Sequence, residues 1–397
     1  MSNLDKYSFL QTERWQQFIQ ENKSKSIETV LFSLDKNTII DKVILAQQIV
    51  GHKVASKKVE SWSKHAHQLI FPPKINLEQS SSELTAKYKA SLFSGQSFID
   101  ITGGFGVDSF FFGTSFKHGI HCEINIELQC IVSHNFDRLQ TNIKSIQTDG
   151  LDYLRSTIEE FDMIYVDPSR RDQQNRKVVR LQDYSPNVLD HMDLLLSKGR
   201  EILLKTSPLL DIKQVISLIP NLQQVHVVAV DNECKELLFL IKRHQTQPIS
   251  IYCQDLTKHI DFRFTFDQES KACQLSPPQN YLYEPNVTLL KAGAFNSIAH
   301  AYNVNKLHPN THLYTSNLIV PNFPGKVFEI IEVVKLDKSA IFNVVKDKKA
   351  NLTKRNFPLS VSEIRKKVGL KEGGDWHLFA TTLMKNSPKV LICKKVT

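Results

Sequence analysis

The stretch FIDITGGFGVDS, residues Phe98–Ser109, constrains the fold of this chain more than any other segment. It begins with a short apolar run ending in an acid, passes through three glycines and leads into a second apolar run, Phe110–Phe112. This order predicts a buried parallel strand that turns sharply into a helix. Because glycine adopts positive φ and lets a ligand approach the backbone, the turn is predicted to bind a small molecule. A glycine-rich turn with a purely structural role is the alternative.

Two nucleoside cofactors use such a turn, and the spacing favours one of them. A dinucleotide fingerprint, G-x-G-x-x-G, would start at Gly104 but has Ser109 at its third glycine position. The chain instead has the pattern D-x-T-x-G-x-G, in which it resembles the class I S-adenosylmethionine (SAM)-dependent methyltransferases. The resemblance implies that Asp100 holds the amino end of SAM and that the turn and the following helix face its carboxylate. The predicted cofactor-binding residues of the turn are Asp100, Thr102, Gly103, Gly104 and Gly106.

Acids also follow the next two predicted strands. Glu123 ends a short strand, and its carboxylate can accept hydrogen bonds from both ribose hydroxyls of SAM or of NAD. Asp149 follows a third strand, where the resemblance implies a contact with the adenine amino group. Since ligands of open parallel sheets bind at the carboxyl ends of the strands, Asp100, Glu123 and Asp149 are predicted to surround one nucleoside.

The segment before the glycine strand, NLEQSSSELTAKY, contains small polar residues that can hydrogen-bond a ligand over the sheet edge. The resemblance implies that this segment closes over the cofactor, with Gln79 and Ser80 in contact. The alternative is a helix cap at Ser81 or Ser82. Both interpretations are compatible.

The fourth predicted strand, 161–166, ends in Asp167-Pro168-Ser169-Arg170-Arg171. The position resembles that of enzymes that methylate exocyclic amino groups, which have an acid or Asn followed by Pro-Pro and an aromatic residue. Asp167 is therefore predicted to orient the methyl acceptor, and an arginine to stack on a base or hold a phosphate. The alternative is that the arginines pair with Asp172 or Asp183 at the surface. The predicted catalytic residues are Asp167, Pro168, Ser169 and Arg170.

The fifth strand is followed by Lys205-Thr206-Ser207-Pro208, without the cysteine that methylation at C5 of uracil requires. A further pair of adjacent strands around NECKELL is typical of the methyltransferase sheet and unusual in a dehydrogenase. These two features favour a nitrogen acceptor and disfavour a dehydrogenase.

Composition limits the class of protein and the kinds of site that the chain can contain. The chain has 397 residues, of which 41% are hydrophobic and 23% charged, and no apolar run long enough to span a membrane. Its start lacks the pattern of a secretory signal, so a cytoplasmic location is predicted. Six scattered cysteines without metal-ligand spacing predict reduced thiols and no metal site.

Residues 4–65 are predicted to form a helical bundle, although Leu45–Val59, with Gly51 in a turn, could also be a DNA-binding helix-turn-helix. The last third of the chain predicts a small α+β domain of split βαβ type, with strands and helices alternating from Gly325 onward. Residues 335–397 contain fifteen Lys and Arg against five Asp and Glu, which suits RNA or, alternatively, serves solubility. The predicted phosphate-binding residues are Lys354, Arg355, Arg365, Lys366 and Lys367.

Several motifs together extend the resemblance to most of the chain: DITGGFG, DPSRR, NECKELL, RNFPLSVSEIRKK, KEGGD and HLFATTL. They resemble bacterial proteins that join a class I methyltransferase domain to a C-terminal THUMP-like domain, a type of RNA-binding module. The resemblance implies an α/β chain with a Rossmann-like methyltransferase sheet and an RNA substrate. The predicted regions are helical (1–75), methyltransferase (76–245), connecting (246–325) and THUMP-like (326–397).

The sequence therefore predicts SAM-dependent methylation of a base in tRNA or rRNA, at a nitrogen atom. Two alternatives stay open at this point. One is an RNA-binding protein whose methyltransferase fold no longer turns over, because the aromatic residue after Asp167 is missing. The other is an NAD-dependent oxidoreductase.

Overall fold

Residues 4–35, 40–170, 180–244 and 248–396 are the part of the chain that the structure, a computed structural model, describes. The chain divides into two compact units. The first comprises Met1–Leu222 and Phe239–Gln245, and the second Gln223–Leu238 and Thr246–Thr397. No helix in the described ranges is long and apolar enough to cross a membrane.

The N-terminal region is helical, as predicted. It contains the 3-10 helices Asp5–Gln11 and Glu60–Gln68 and the α-helices α1 (Glu13–Asn22), α2 (Ile27–Phe32) and α3 (Lys42–Lys58). The helix-turn-helix alternative is wrong, because α3 runs without a break through Gly51. A Cβ atom at Gly51 would lie 2.2 Å from the Cβ of Phe71, so this glycine allows close packing inside a helix.

A nine-stranded sheet follows, with the strand order β3-β2-β1-β4-β5-β7-β6-β8-β9. The pairs β3–β2, β2–β1, β1–β4 and β4–β5 are all parallel. Its strands are β1 (Gly95–Asp100), β2 (Phe116–Glu123), β3 (Ile143–Gln147), β4 (Phe161–Val166), β5 (Gly199–Thr206), β6 (Leu222–Val230), β7 (Glu233–Lys242), β8 (Ser250–Asp255) and β9 (Ile260–Thr265).

Two helices, α4 (Lys74–Gln79) and α5 (Glu83–Ser91), precede β1. The helices between the following strands are α6 (Val107–Phe112), α7 (Ile126–Arg138), α8 (Gly150–Ser156), α9 (Met192–Lys198) and α10 (Ile212–Leu218). A 3-10 turn covers Leu181–Asp183. Strand β1 lies between β2 and β4, and Phe98 and Ile99 are fully buried there. The apolar run identified in the sequence is therefore the middle strand of the five parallel strands β1 to β5, and its glycine turn lies at their carboxyl edge.

Asp231 and Asn232 join β6 to β7 with φ values of 54° and 59°. Positive φ at both central residues is the geometry of the two-residue turns that suit a β-hairpin. The adjacent strand pair predicted around NECKELL is thereby confirmed.

The second unit contains a seven-stranded sheet of order β11-β12-β10-β13-β16-β15-β14. Its elements are β10 (Tyr281–Pro285), α11 (Val287–Ala292), α12 (Ser297–Tyr302), β11 (Asn305–Lys306), β12 (Tyr314–Ser316), β13 (Gly325–Val334), α13 (Lys338–Val344), β14 (Asn351–Arg355), α14 (Val361–Val368), β15 (Trp376–Leu383) and β16 (Ser387–Lys395). The 3-10 helices Phe266–Ser270 and Met384–Asn386 complete the described helices.

Helices α13 and α14 share one apolar core with the strands of this sheet. Ile341 and Ile364 from the helices are buried together with Leu378 and Ile392 from β15 and β16. The predicted alternation of strands and helices after Gly325 is confirmed. Its physical basis is that buried residues recur at every second position in the strands and at helical spacing in the helices.

Candidate active site

The glycine turn after β1 combines positive φ with very close packing. Gly103, Gly104 and Gly106 have φ values of 21°, 63° and 75°. A Cβ at Gly103 would lie 2.4 Å from the carbonyl oxygen of Cys122, and one at Gly106 would lie 2.8 Å from the ring of Phe136. At Gly104 the nearest atom would be 3.9 Å away. Two of these glycines are therefore required by the protein itself, whereas Gly104 leaves open space beside the backbone.

Asp100 accepts hydrogen bonds from the residues of this turn and of the helix that follows it. Its carboxylate is buried, with 1% of the residue exposed. Oδ1 accepts hydrogen bonds from the backbone N–H and hydroxyl of Thr102, at 3.0 and 3.2 Å, and Oδ2 accepts from Ser109 at 2.5 Å. Asp100 is thus hydrogen-bonded to Thr102 and Ser109, and the contact with the amino end of SAM that the resemblance implies stays a prediction.

Burial raises the pKa of Asp100 to about 7, against hydrogen bonds from Ser109 and Thr102 that lower it; the charges of Asp108 and Asp167 add to the rise. The folded chain then retains a proton that the unfolded chain loses above its ordinary value of 3.8. The contribution of Asp100 to the free energy of unfolding should therefore fall as the pH rises from about 4 to about 7.

We expect Asp100→Asn to remove this part of the pH dependence, so that the variant gains stability relative to the wild type across that window. Denaturant unfolding at a series of pH values measures the effect. Asp152→Asn is the matched control, because Asp152 is exposed on α8. Parallel wild-type and Asp100→Asn curves between pH 4 and 7 would contradict the expectation.

Glu123, at the end of β2, is bonded directly to the turn. Its Oε2 accepts from the backbone N–H of Gly104 at 2.8 Å, and its Oε1 accepts from that of Asn125 at 2.7 Å. Each carboxylate oxygen has further lone pairs, so Glu123 can still accept hydrogen bonds from hydroxyl groups.

Asp149 follows β3 and caps α8. Its Oδ1 accepts from the backbone N–H groups of Leu151 and Asp152, at 2.8 and 3.2 Å. The cap uses Oδ1, and among the described residues no hydrogen bond to Oδ2 is found. Because β3, β2 and β1 are parallel neighbours, Asp149, Glu123 and Asp100 lie along the same edge of the sheet.

Asp167 connects the end of β4 to the same turn. Its backbone N–H donates to the hydroxyl of Thr102 at 2.8 Å, and its Oδ2 accepts from the ammonium of Lys205 at 2.6 Å. The Asp167 side chain is 39% exposed, which leaves room for a partner.

The residues after Asp167 are also held in place. Ser169 exchanges two backbone hydrogen bonds with Ser185, and Arg170 donates to the hydroxyl of Ser207 at 2.8 Å. Arg171 and Asp172, named in the sequence predictions, lie outside the described residues. Within the described part, Arg170 thus contacts the loop after β5, whereas the sequence alternative proposed a surface pair with Asp183.

A buried charge cluster behind the turn was missed by sequence reasoning. Asp108, in the first turn of α6, lies 3.3 Å from Lys89 and 3.7 Å from Lys205, and accepts from Tyr165 at 2.6 Å and Ser81 at 2.8 Å. Burial alone would raise the pKa of Asp108, but the two lysines hold it below its ordinary value. Lysine is rarely buried, so a sequence pattern gives no signal for such a cluster.

The predicted cofactor-covering segment lies next to this cluster. Lys58 donates to the carbonyl oxygens of Leu77 and Glu78, at 2.7 and 2.8 Å, and burial together with Lys205 lowers the pKa of Lys58 to about 8. Ser80 follows α4 and donates to Leu77, and Gln79 is exposed. Lys58 and Ser81 therefore fix the two ends of the segment that carries Gln79 and Ser80.

The predicted RNA-binding residues divide into two groups. Arg355 pairs with Glu284 at 3.0 Å, and Arg365 donates to the carbonyl of Ala350 at 3.3 Å, so these two arginines have partners within the second unit. The other three predicted residues, Lys354, Lys366 and Lys367, are exposed.

The order of β1 to β7, the glycine turn after β1 and the acids at four strand ends define the class I methyltransferase fold. Family models match a ferredoxin-like domain at residues 281–324 and a THUMP domain-like region at residues 325–395. The chain therefore has a class I methyltransferase fold and a C-terminal THUMP-like domain, as the resemblance implied.

A solved structure agrees with this fold over nearly the whole chain. The crystal structure of a candidate methyltransferase from Porphyromonas gingivalis W83 is 29% identical with a TM-score of 0.85, and the match covers 97% of this chain and 98% of that one. A candidate class I SAM-dependent methyltransferase from Listeria monocytogenes gives a TM-score of 0.37 at 8% identity, and the match covers 60% of this chain and 83% of that one. TrmK from M. capricolum, bound to S-adenosyl-homocysteine, gives 0.32 at 14% identity, covering 41% and 68%. No curated protein matches the sequence.

Proposed function

We propose that this chain transfers the methyl group of SAM to a nitrogen atom of a base in tRNA or rRNA. The observation that carries the proposal is that the glycine turn after β1 is hydrogen-bonded to the ends of both flanking strands, β2 and β4. Gly104 donates to Glu123, and Thr102 accepts from Asp167. A nucleoside cofactor held beside Gly104 and an acceptor held by Asp167 would therefore meet at the same turn.

The residues at this edge suit SAM. Glu123 would accept from the ribose hydroxyls and Asp149 from the adenine amino group, while Gln79 and Ser80 would cover the ligand. Asp100, Thr102, Gly103 and Gly106 would shape the turn so that the backbone of Gly104 stays accessible. When bound, SAM supplies a methyl carbon that is open to attack.

The protein would contribute positioning and a proton acceptor. Asp167 would accept a hydrogen bond from the N–H group of the acceptor base and align its nitrogen with the methyl carbon. Pro168, Ser169 and Arg170 would border the base. Alignment of two reactants in one site accounts for a large part of catalysis when the chain provides no nucleophile of its own.

RNA as the substrate is supported by the THUMP-like domain and by charge. Residues 335–397 have ten more basic than acidic residues. Lys354, Lys366 and Lys367 are proposed to contact phosphates, because their ammonium groups are exposed. Arg355 and Arg365 would contribute less, since each already has a partner in the second unit.

Glu123→Ala is expected to weaken SAM binding by about 100-fold, because it removes hydrogen bonds from a charged acceptor and detaches the turn at Gly104. Isothermal titration calorimetry with SAM measures the effect. Glu159→Ala, at an exposed position before β4, is the control. Unchanged affinity in Glu123→Ala would contradict the proposed cofactor site.

The substrate is tested with purified full-length protein, SAM and RNA from a strain without the gene, followed by nucleoside mass spectrometry. One new methylated base in tRNA or rRNA is the expected result. RNA binding without methyl transfer would instead indicate a protein that has lost turnover, and tight binding of NAD without SAM binding would indicate an oxidoreductase.

A further inference from the structure

Lys205 occupies an unusual position at the end of β5. Its side chain is only 13% exposed, and its ammonium lies between two carboxylates of the first unit. The distance to Oδ2 of Asp167 is 2.6 Å, and that to Oδ2 of Asp108 is 3.7 Å. Lys205 thus connects the start of α6, behind the glycine turn, to the residue proposed to orient the methyl acceptor.

The two carboxylates depend on Lys205 to different degrees. Asp108 also has Lys89, Tyr165 and Ser81 as partners. For the side chain of Asp167, Lys205 is the hydrogen-bonding partner found among the residues that the structure describes. Loss of Lys205 would leave Asp108 largely compensated, whereas the partly exposed Asp167 carboxylate would be free to rotate.

We propose that Lys205 is a positioning residue for methyl transfer: it binds Oδ2 of Asp167 and so directs Oδ1 toward the acceptor base. This inference rests on the proposed function. A side chain held in one rotamer by a buried neighbour keeps its geometry during turnover, and a misplacement of about 1 Å can cost about 100-fold in rate.

The loops around Asp167 have a second connection that does not involve Lys205. Arg170 donates to Ser207 at 2.8 Å and joins the loop after β4 to the loop after β5. The backbone N–H of Asp167 is also bonded to Thr102. Removal of the Lys205 ammonium should therefore change the orientation of the Asp167 carboxylate without detaching the loop that carries it.

The test compares Lys205→Met, Lys205→Arg and the control Lys213→Met, which is exposed on α10. Each full-length variant is assayed with methyl-labelled SAM and RNA from a strain without the gene. We expect Lys205→Met to lower kcat by about 100-fold while the KM for SAM stays within about threefold. Lys205→Arg keeps the charge and should recover about tenfold, and Lys213→Met should behave as the wild type.

A double-mutant comparison shows whether Lys205 acts through Asp167. In an Asp167→Asn background, Lys205→Met should lower kcat by less than about threefold, because the carboxylate to be positioned is gone. Wild-type kcat in Lys205→Met, or a 100-fold loss that persists in the Asp167→Asn background, would overturn the inference. So would a rise in the KM for SAM that matches the loss of turnover. If Lys205→Met does not fold, kcat of Lys205→Arg is compared in the wild-type and Asp167→Asn backgrounds in the same way.

The two failures are distinguishable. An inactive wild type would overturn the proposed function and the role of Lys205 together. An active wild type with unaffected Lys205 variants would overturn the role of Lys205 alone.

Discussion

Alanine at Asp167 is expected to lower kcat for RNA methylation by about 10²- to 10⁴-fold and to leave the affinity for SAM within about threefold of the wild type. The carboxylate is the group proposed to accept a proton or hydrogen bond from the acceptor nitrogen, and residues 168–170, the described residues that follow it, contain no other acid. The backbone N–H of Asp167 still donates to Thr102 in the variant, so the glycine turn keeps its support.

Single-turnover methyl transfer and calorimetry with SAM separate the two effects. Asp183→Ala is the matched control, because Asp183 is an exposed acid in the segment between β4 and α9. Equal loss of SAM affinity and turnover in Asp167→Ala would place Asp167 in the cofactor site. Full activity would exclude it from the chemistry.

Alanine substitutions at two adjacent glycines are expected to give opposite results. Gly103→Ala should lower the free energy of unfolding by about 3 kcal/mol, because its Cβ would lie 2.4 Å from a backbone oxygen of β2 that cannot move aside easily. Gly104→Ala meets no atom closer than 3.9 Å, so its cost should be about 1 kcal/mol, from the positive φ alone.

The affinity for SAM should fall in Gly104→Ala, although this variant is expected to lose less stability than Gly103→Ala. The methyl group added at Gly104 would occupy the open space beside the backbone that the cofactor is proposed to use, and we expect the affinity to fall by about tenfold or more because that contact is blocked. Thermal unfolding and calorimetry on both variants test the pair. A Gly104→Ala variant that binds SAM as the wild type does would show that the ligand does not approach the turn there.

Local patterns predicted much of the fold and part of the candidate site. The apolar run before Asp100 and the three glycines predicted a buried strand and a sharp turn, since both depend on residues close together in the chain. The positions of Glu123 and Asp149 at strand ends followed in the same way. The regional boundaries proposed from composition stay predictions, as do the roles assigned to individual site residues.

The orientation of Asp100 could not be predicted from its spacing. Which groups an acid at a strand end is hydrogen-bonded to depends on the folded conformation of the residues beside it, here Thr102 and Ser109. Likewise, the spacing of Arg355 could not predict its pairing with Glu284, a partner 71 residues away.

By itself the sequence determined the alternation of strands and helices, the glycine turn and the acids that follow the strands, because each of these features depends on residues that are close together in the chain. Only the tertiary structure decided that Lys89, Asp108 and Lys205 form a buried charge cluster behind that turn. These residues come from α5, α6 and β5. A lysine can be buried only where the folded chain places an opposite charge beside it. Because that charge comes from a residue distant in the sequence, no local sequence pattern predicts the pair.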